Sequence, residues 1–378
     1  MLRHYVSYSK GVKKIVIDAR ELRTTSGRYV ERLLAYLQEV DTDMSHRYVV
    51  LLKPSDMNGW QPTSKRFTKV ACPHKEFTFA EQSGLLIQLL HLNPDLVHFP
   101  MVQQPILYQG KVVTTMQDLT TLRFVNPSKN SLIFKFKQRV YWWVNYIAAR
   151  KSVAIITPTE FVKDDVARHM HVNSRKITVT LEAGDTIDAD PEPIEELEGK
   201  QYIMYVGRPL PHKNLERLID AFAILKQTHP GLHLVLAGKT DALFRRHERE
   251  TNRKGIPDVH FTGFVPDPQL KWLYQHTAAY VFPSLSEGFG LPPLEAMSCG
   301  APVVSSNATC LPEVNGGAAY YFDPLDIQDM ANAIGKVISS QELRTKLIAA
   351  GKKQFKKYSW RRTAEQTLDV YRQVLGEQ

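Results

Sequence analysis

The chain has 378 residues, 43% hydrophobic and 23% charged, with a formal net charge of +9 and three cysteines. The length exceeds one ordinary core and predicts two domains of roughly 150 to 200 residues. The composition excludes a disordered or collagen-like chain, and Cys72, Cys299 and Cys310, odd in number and without metal-ligand spacing, exclude a disulfide framework and fit a reducing cytoplasm. No apolar run approaches the roughly 20 residues that span a bilayer, and residues 1–14 are too polar for the core of a signal peptide. The charge favours anionic partners, whether phosphorylated substrates, anionic lipid or nucleic acid.

In chain order, Lys13 to Ala19 is a compact β-branched run, and Tyr29, Leu33, Leu34 and Leu37 follow at helical spacing. The turn between them ends in Ser26-Gly27. It reads either as a helix cap or as a loop whose amides approach a phosphate. Further strands are predicted at Tyr48–Leu52, Thr68–Ala71, Leu96–Phe99, Val112–Thr115, Val153–Ile156 and Lys176–Thr180, with helices near Phe79–His91, Ser131–Arg150 and Glu160–His169. Such alternation implies parallel strands joined by crossover helices, so residues 1–185 read as a doubly wound α/β domain. The stretch 181–200 is acidic and proline-bearing, and 186–200 reads as an interdomain linker. Asp188-Ala-Asp190 within it follows no strand and reads as solvated acids rather than a metal site.

Residues 201–358 repeat the pattern, with strands at Gln201–Val206, Leu232–Ala237, Val259–Thr262, Ala279–Phe282, Val303–Ser305 and Tyr320–Phe322. A last helix over about Ser359–Leu375 carries an apolar stripe of Ala364, Leu368 and Tyr371.

Two stretches carry chemistry. After the strand ending at Phe282, Ser284 to Gly300 supplies a glycine-bearing turn with Glu287, then Pro292 and Pro293, which suit the first turn of a helix, with Glu295 further along it and Gly300 at its end. Open parallel sheets bind ligands at the carboxyl ends of their strands, where a helix N-terminus adds free N–H groups. The second stretch, Val206-Gly207-Arg208-Pro-Leu-Pro-His-Lys213-Asn214, joins a strand to a helix. Gly207 permits close backbone approach, and Arg208 and Lys213 suit a diphosphate or are simply solvated. Several nucleotide motifs are excluded. Gly238-Lys239-Thr240 lacks the earlier Walker glycine, where His233 stands, and no G-x-G-x-x-G, zinc spacing or G-x-S-x-G elbow occurs.

Together with Ile17-Asp-Ala-Arg20, Gly27-Arg-Tyr-Val, His98-Phe-Pro100, Lys111-Val-Val-Thr-Thr, Thr157-Pro-Thr-Glu-Phe161, Gly263-Phe-Val265 and Ser359-Trp360, these stretches resemble retaining glycosyltransferases of the GT-B fold, family four (group 1), with mannosyl- and rhamnosyltransferase-like features. The most specific element is the pair Glu287 and Glu295, separated by seven residues in SEGFGLPPLEAMSCGAPVV. The resemblance covers nearly the whole chain. It implies two doubly wound Rossmann-like domains facing across a cleft, with 359–378 crossing back to the first.

The activity it implies is retaining, metal-independent transfer of a hexosyl unit, with no cofactor, from a nucleoside diphosphate sugar to a glycan or lipid-linked acceptor in cell-surface polysaccharide or glycolipid synthesis. Arg208 and Lys213 would hold the diphosphate and stabilise its developing charge, and Glu287 would contact the sugar. The amides of Gly288, Phe289, Gly290 and Leu291 would hold sugar or phosphate oxygens. Glu295 would bind the ribose, Gly27 would approach the phosphate, and the base would lie near Gly263, Phe264 and Val265.

Gln117-Asp118 stands where the family commonly has His-Asp. Glutamine can orient a hydroxyl but cannot take up a proton near neutral pH. It therefore raises the alternative of a sugar-nucleotide-binding paralogue that partners an active enzyme. Thr178 to Asp185 also departs from the family's Asn-Gly turn. Residues 129–151 mix cations with aromatics and read as a partly buried crossover helix with a basic edge facing an anionic membrane surface, consistent with a cytoplasmic, peripheral protein. No nucleic-acid-binding module is recognisable, so no specific nucleic acid is expected.

Overall fold

The computed structural model describes residues 11–24, 27–124 and 131–377. Ser26 of the first turn, residues 129–130 of the basic stretch and the side chains of 131–137 lie outside the described residues. The chain forms two compact units, one of Met1–Leu119, Lys135–Leu181 and Trp360–Gln378, the other of Thr120–Phe134 and Glu182–Ser359.

The first unit is built on seven strands: β1 (Lys13–Asp18), β2 (His46–Leu52), β3 (Phe67–Ala71), β4 (Leu96–Phe99), β5 (Val112–Thr115), β6 (Ala154–Thr157) and β7 (Ile177–Val179). They pair in the order β3-β2-β1-β4-β5-β6-β7, every pair parallel. Helices cover both faces of such a sheet, which is why its strands are near-continuous apolar runs rather than alternating ones. The order reverses between β1 and β4, leaving a crevice at their carboxyl ends. The Arg28–Val40 helix buries Tyr29, Val30, Leu33, Leu34 and Leu37 and packs against the Trp360–Leu375 helix, with the Tyr29 and Trp360 rings 6.5 Å apart. That terminal helix buries Ala364, Leu368 and Tyr371, and the Tyr371 hydroxyl meets His98 Nδ1 of β4 at 2.6 Å.

The helix expected over Phe79–His91 begins instead as a π-helical turn, Glu81–Leu85, before the α-helix Leu86–Leu92. Its first residue points inward: Glu81 is buried and bound to Arg20, an interaction 61 residues distant that no local pattern announces.

The second unit has six parallel strands, β8 (Tyr202–Val206), β9 (His233–Ala237), β10 (Val259–Gly263), β11 (Ala279–Phe282), β12 (Val303–Ser306) and β13 (Ala319–Phe322), in the order β10-β9-β8-β11-β12-β13. Residues 182–200 group with this unit. The Lys271 ammonium donates to the Ala189 carbonyl at 2.8 Å, and the Glu192 amide donates to the Pro268 carbonyl at 3.1 Å. Thr120–Phe134 joins it too, through a short helix, Thr120–Arg123, whose first hydroxyl lies 2.8 Å from that of Ser286. Four residues carry no readable helical period, and the sequence pattern did not anticipate this element. Among the described residues no helix is long and apolar enough to cross a membrane.

Candidate functional site

The second sheet reverses its order between β8 and β11, and the loops leaving those two strands build the site. After β8, the Gly207 amide continues the sheet by donating to the Ala237 carbonyl at 2.9 Å, and Pro211–Lys213 form a single 3-10 turn. Asn214 follows in the left-handed region, φ +61°, which asparagine tolerates better than most side chains, and opens the Leu215–Thr228 helix. Its amide Nδ2 donates to the carbonyls of Pro283 at 3.1 Å and Pro324 at 2.7 Å, while the Leu285 amide donates to the His212 carbonyl at 2.7 Å. The two loops are thus laced together by neutral hydrogen bonds around the charged groups.

Those groups then meet. Lys213 Nζ donates to Glu287 Oε1 at 2.6 Å and stands 5.4 Å from the centre of the Phe282 ring. Glu287 is gripped by its own backbone: its amide donates to Thr309 Oγ1 at 3.1 Å, and its carbonyl accepts from the Cys310 thiol at 3.3 Å. Arg208 is exposed, its guanidinium 3.6 Å from Asp241 Oδ2. Asp241 caps the Ala242–Arg253 helix by accepting from the Leu243 and Phe244 amides at 3.0 Å each. An exposed ion pair of that length contributes little, so Arg208 can leave it for an anion at small cost.

Gly288, Phe289 and Gly290 lead into the Leu291–Ser298 helix, with its prolines in the first turn and the half-buried Glu295 on the second. Phe289 packs edge-on against Tyr358 at 5.5 Å and fixes the turn from within. At the ends of β8, β9 and β10 the backbones of Gly207, Gly238 and Gly263 lie in contact: a Cβ on Gly238 would overlap the Gly207 carbonyl oxygen, and the Gly238 amide donates to the Gly263 carbonyl at 2.8 Å. Beside them Val265 is buried, while Phe264 is 79% exposed and offers a free ring face.

His212, present in the Arg208–Lys213 loop but given no role from sequence, belongs to this cluster. Its ring lies 5.9 Å from that of Phe124. Burial, with Lys213 beside it, pushes the imidazole down to about 4 despite the opposing pull of Glu287. It is therefore neutral at physiological pH and can donate or accept one hydrogen bond at each nitrogen. A histidine adjacent to Lys213 was the available signal.

The remaining expected residues lie in the first unit. Gly27 caps the Arg28–Val40 helix, and a Cβ there would overlap the carbonyls of Glu21 and Leu22, so the turn itself demands glycine. Gln117 and Asp118 follow β5, where the Met116 amide still pairs with the Ile156 carbonyl at 2.9 Å. Gln117 Nε2 is buried and has no hydrogen-bond partner among the described residues.

Comparison with known proteins bears on this geometry. A family described as Glycosyltransferase Family 4 matches residues 26–181, and one described as Glycosyl transferases group 1 matches residues 186–354. The chain belongs to the family 4, group 1 glycosyltransferases. It is 34% identical to the O-antigen chain mannosyltransferase B of Escherichia coli over 58% of this chain and 60% of that protein. It is 33% identical to the serotype-specific mannosyltransferase WbdA of the same organism over 62% of this chain and 30% of that one. The alignments thus span less than two thirds of each of these curated relatives.

Among solved structures, a sucrose-phosphate synthase from Thermosynechococcus elongatus superposes with a TM-score of 0.75 at 18% identity, covering 96% of this chain and 99% of that one. Anabaena HepE, solved in complex with UDP-glucose, gives 0.70 at 18% identity, covering 96% and 100%. At such identity these neighbours speak to fold alone, and that fold, two parallel-sheet Rossmann-like halves, is the GT-B architecture of the family. Gly207, Arg208, Lys213, Glu287 to Leu291, Glu295 and Gly263 to Val265 all fall within the second unit, and Gly27, Gln117 and Asp118 within the first.

Proposed function

We propose that the protein transfers a mannosyl unit from a nucleoside diphosphate sugar to a hydroxyl of a growing bacterial polysaccharide or glycolipid, with retention at the anomeric carbon. The observation that carries this reading is the Arg208, Lys213 and Glu287 cluster, held by laced loops where the second sheet reverses order. Two cations on the loop after β8 and a carboxylate on the loop after β11 suit a ligand that is anionic at one end and hydroxylated at the other. The mannosyltransferase relatives favour the sugar, and HepE's complex with UDP-glucose favours the class of donor.

In this mechanism Arg208 and Lys213 bind the diphosphate and stabilise the charge it gains as the bond to the anomeric carbon breaks. Glu287 accepts hydrogen bonds from the sugar hydroxyls, the amides of Gly288 to Leu291 face sugar or phosphate oxygens, Glu295 accepts from the ribose, and the Phe264 ring stacks on the base. The acceptor oxygen bonds to the anomeric carbon on the face the phosphate leaves, and its proton passes to the departing phosphate oxygen. The chain's own cations meet the leaving charge, so the step calls for no metal. Gln117 Nε2, buried and without a hydrogen-bond partner among the described residues, is a donor suited to a substrate hydroxyl.

Thermal unfolding with uridine, guanosine, adenosine and thymidine diphosphates tests the donor site. A diphosphate at one hundred times its dissociation constant adds about 2.7 kcal/mol of stability. Transfer from the nucleoside diphosphate mannose of the stabilising base should follow, and Arg208→Ala should abolish both. No stabilisation by any of the four, or transfer by the variant at the wild-type rate, rejects the reading.

A further inference from the structure

The large exposed hydrophobic side chains of the described residues are not scattered. Seven of the eleven, Phe77, Phe79, Ile87, Leu90, Leu107 and the pair Val140 and Trp143, belong to three neighbouring segments of the first unit. The Phe77 and Tyr141 rings lie 6.0 Å apart, which joins the turn before Glu81 to the Ser131–Lys151 helix. Gln82 donates to the Gln104 carbonyl and accepts from the Ile106 amide, both at 3.0 Å, and Lys151 reaches the Pro105 carbonyl, so the loop carrying Leu107 touches both helices. Ile87 and Leu90 sit one turn apart on the outer side of the Leu86–Leu92 helix. Single exposed leucines need no explanation, whereas seven large apolar side chains exposed on three adjoining segments do.

The tip of this face is braced. Phe77 has φ +59°, unusual for an aromatic residue, and is 62% exposed, while Phe79 is 94% exposed. The Phe77 amide donates to Glu81 Oε2 at 3.0 Å, and Glu81 Oε1 accepts from Arg20 at 2.8 Å. Arg20, 1% exposed, also holds Asp18 at 2.6 Å and the His74 carbonyl at 2.9 Å. The end of β1 therefore fixes, from below, a turn that presents two phenyl rings to solvent.

The charge carried by these segments is predominantly basic. Glu81 is turned inward to Arg20, and Glu76 is paired with Lys53 at 2.9 Å. Between Asp118 and Glu160 the sequence contains seven Lys and Arg and no Asp or Glu. Lys75, Arg139 and Arg150 are exposed. A second copy of this face would bring like charges together, whereas an anionic surface complements them.

We propose that this braced aromatic and aliphatic face docks on an anionic lipid bilayer, with Phe77 and Phe79 entering the acyl region and Lys75, Arg139 and Arg150 at the headgroups. It extends well beyond the single basic helix suggested by the sequence, and it does not depend on which sugar is transferred.

Co-sedimentation tests it with vesicles of phosphatidylcholine alone and of phosphatidylcholine with about one third phosphatidylglycerol. The wild-type protein should bind the anionic vesicles at least about tenfold more tightly. Phe77→Ser with Phe79→Ser should lose about tenfold or more on anionic vesicles at low and at moderate salt, and Arg139→Gln with Arg150→Gln should lose affinity chiefly at low salt. Stabilisation of the double phenylalanine variant by the nucleoside diphosphate that stabilises the wild type shows that it is folded, and separates failure here from failure of the donor reading. Equal binding to both vesicles, unchanged binding by the phenylalanine variant, or a dimer that this variant dissolves in place of vesicle binding would each overturn the proposal.

Discussion

Lys213 Nζ and Glu287 Oε1 lie 2.6 Å apart, joining the loops that leave the two central strands of the second sheet. The side chains are 18% and 12% exposed, so each is largely withdrawn from water and held at the place where a ligand would claim it. A diphosphate approaching Lys213 must share that ammonium with the carboxylate, and a sugar approaching Glu287 meets a carboxylate already oriented. On the proposed reading, the pair would pre-position two recognition groups for two ends of one ligand.

Opposite single changes should therefore separate. Lys213→Met removes a charge-assisted contact contributing about 1.5–3 kcal/mol, so nucleoside diphosphate affinity should fall about ten- to a hundredfold by calorimetry. Glu287→Gln, which keeps shape and loses charge, should leave that affinity within about twofold and lower kcat for transfer by about a hundredfold. Equal weakening of diphosphate binding by both variants would refute the division of labour.

Gln117 offers a second separation. Its buried Nε2, unpartnered among the described residues, is a donor without a proton to exchange near neutral pH. Gln117→Leu should cost about tenfold in kcat/KM. Gln117→His should retain transfer but acquire a limb with a midpoint near 6.5 in its pH profile. A leucine variant as fast as the wild type would show that this amide touches no substrate.

A third expectation concerns stability and pH. His46, fully buried, bonds to Asp41 Oδ2 at 2.9 Å and to Glu377 Oε2 at 2.7 Å, while Tyr48 and Arg66 also face Asp41. Burial alone would pull the imidazole down, but the hydrogen bonds and charges of Asp41 and Glu377 outweigh it and hold its pKa above the usual value. Stability from this group is complete below an unfolded-state pKa of about 6.5 and is lost as pH rises through the folded one. Buried His98, pushed down to about 3 by desolvation, acts in the opposite window, below about 6.5, and does not mask it. The Tm of the wild type should fall between neutral and mildly alkaline pH, by about 2–4 °C for each kcal/mol lost, and that of His46→Gln should fall less. Parallel curves would sink the assignment.

Much of this was legible in the sequence because period and punctuation were local. β4, β5 and β11 match the predicted runs, and the Pro292-Pro293 start of the Leu291–Ser298 helix follows from proline's missing N–H. Arg208, Lys213 and Glu287 stood out in the sequence for the same reason, each following a strand and preceding a helix. What the sequence hid was set by distant partners. Arg20 and Glu81 determine the Phe77 turn across 61 residues, Ser286 receives Thr120 across 166, and Asn214 reaches the Pro324 carbonyl across 110. Residues 186–200 look like a solvated linker by composition, yet their neighbours in space include the Asp267–His276 helix. Glycine 27 suited both a cap and a phosphate turn, and the crowding by two carbonyls accounts for it sterically.

The return of Trp360–Leu375 to the first sheet sets an order of events during translation. His98 acquires its Tyr371 partner only after 273 further residues have been made, a wait of about 14 to 55 s at a synthesis rate of about 5–20 residues per second. Through that interval the groove beside the Arg28–Val40 helix is open and apolar, while Glu182–Ser359 emerges as a nearly continuous unit able to close first. The chain would thus mature from its second half backwards, and a nascent-chain holdase would find its target in the half made earliest.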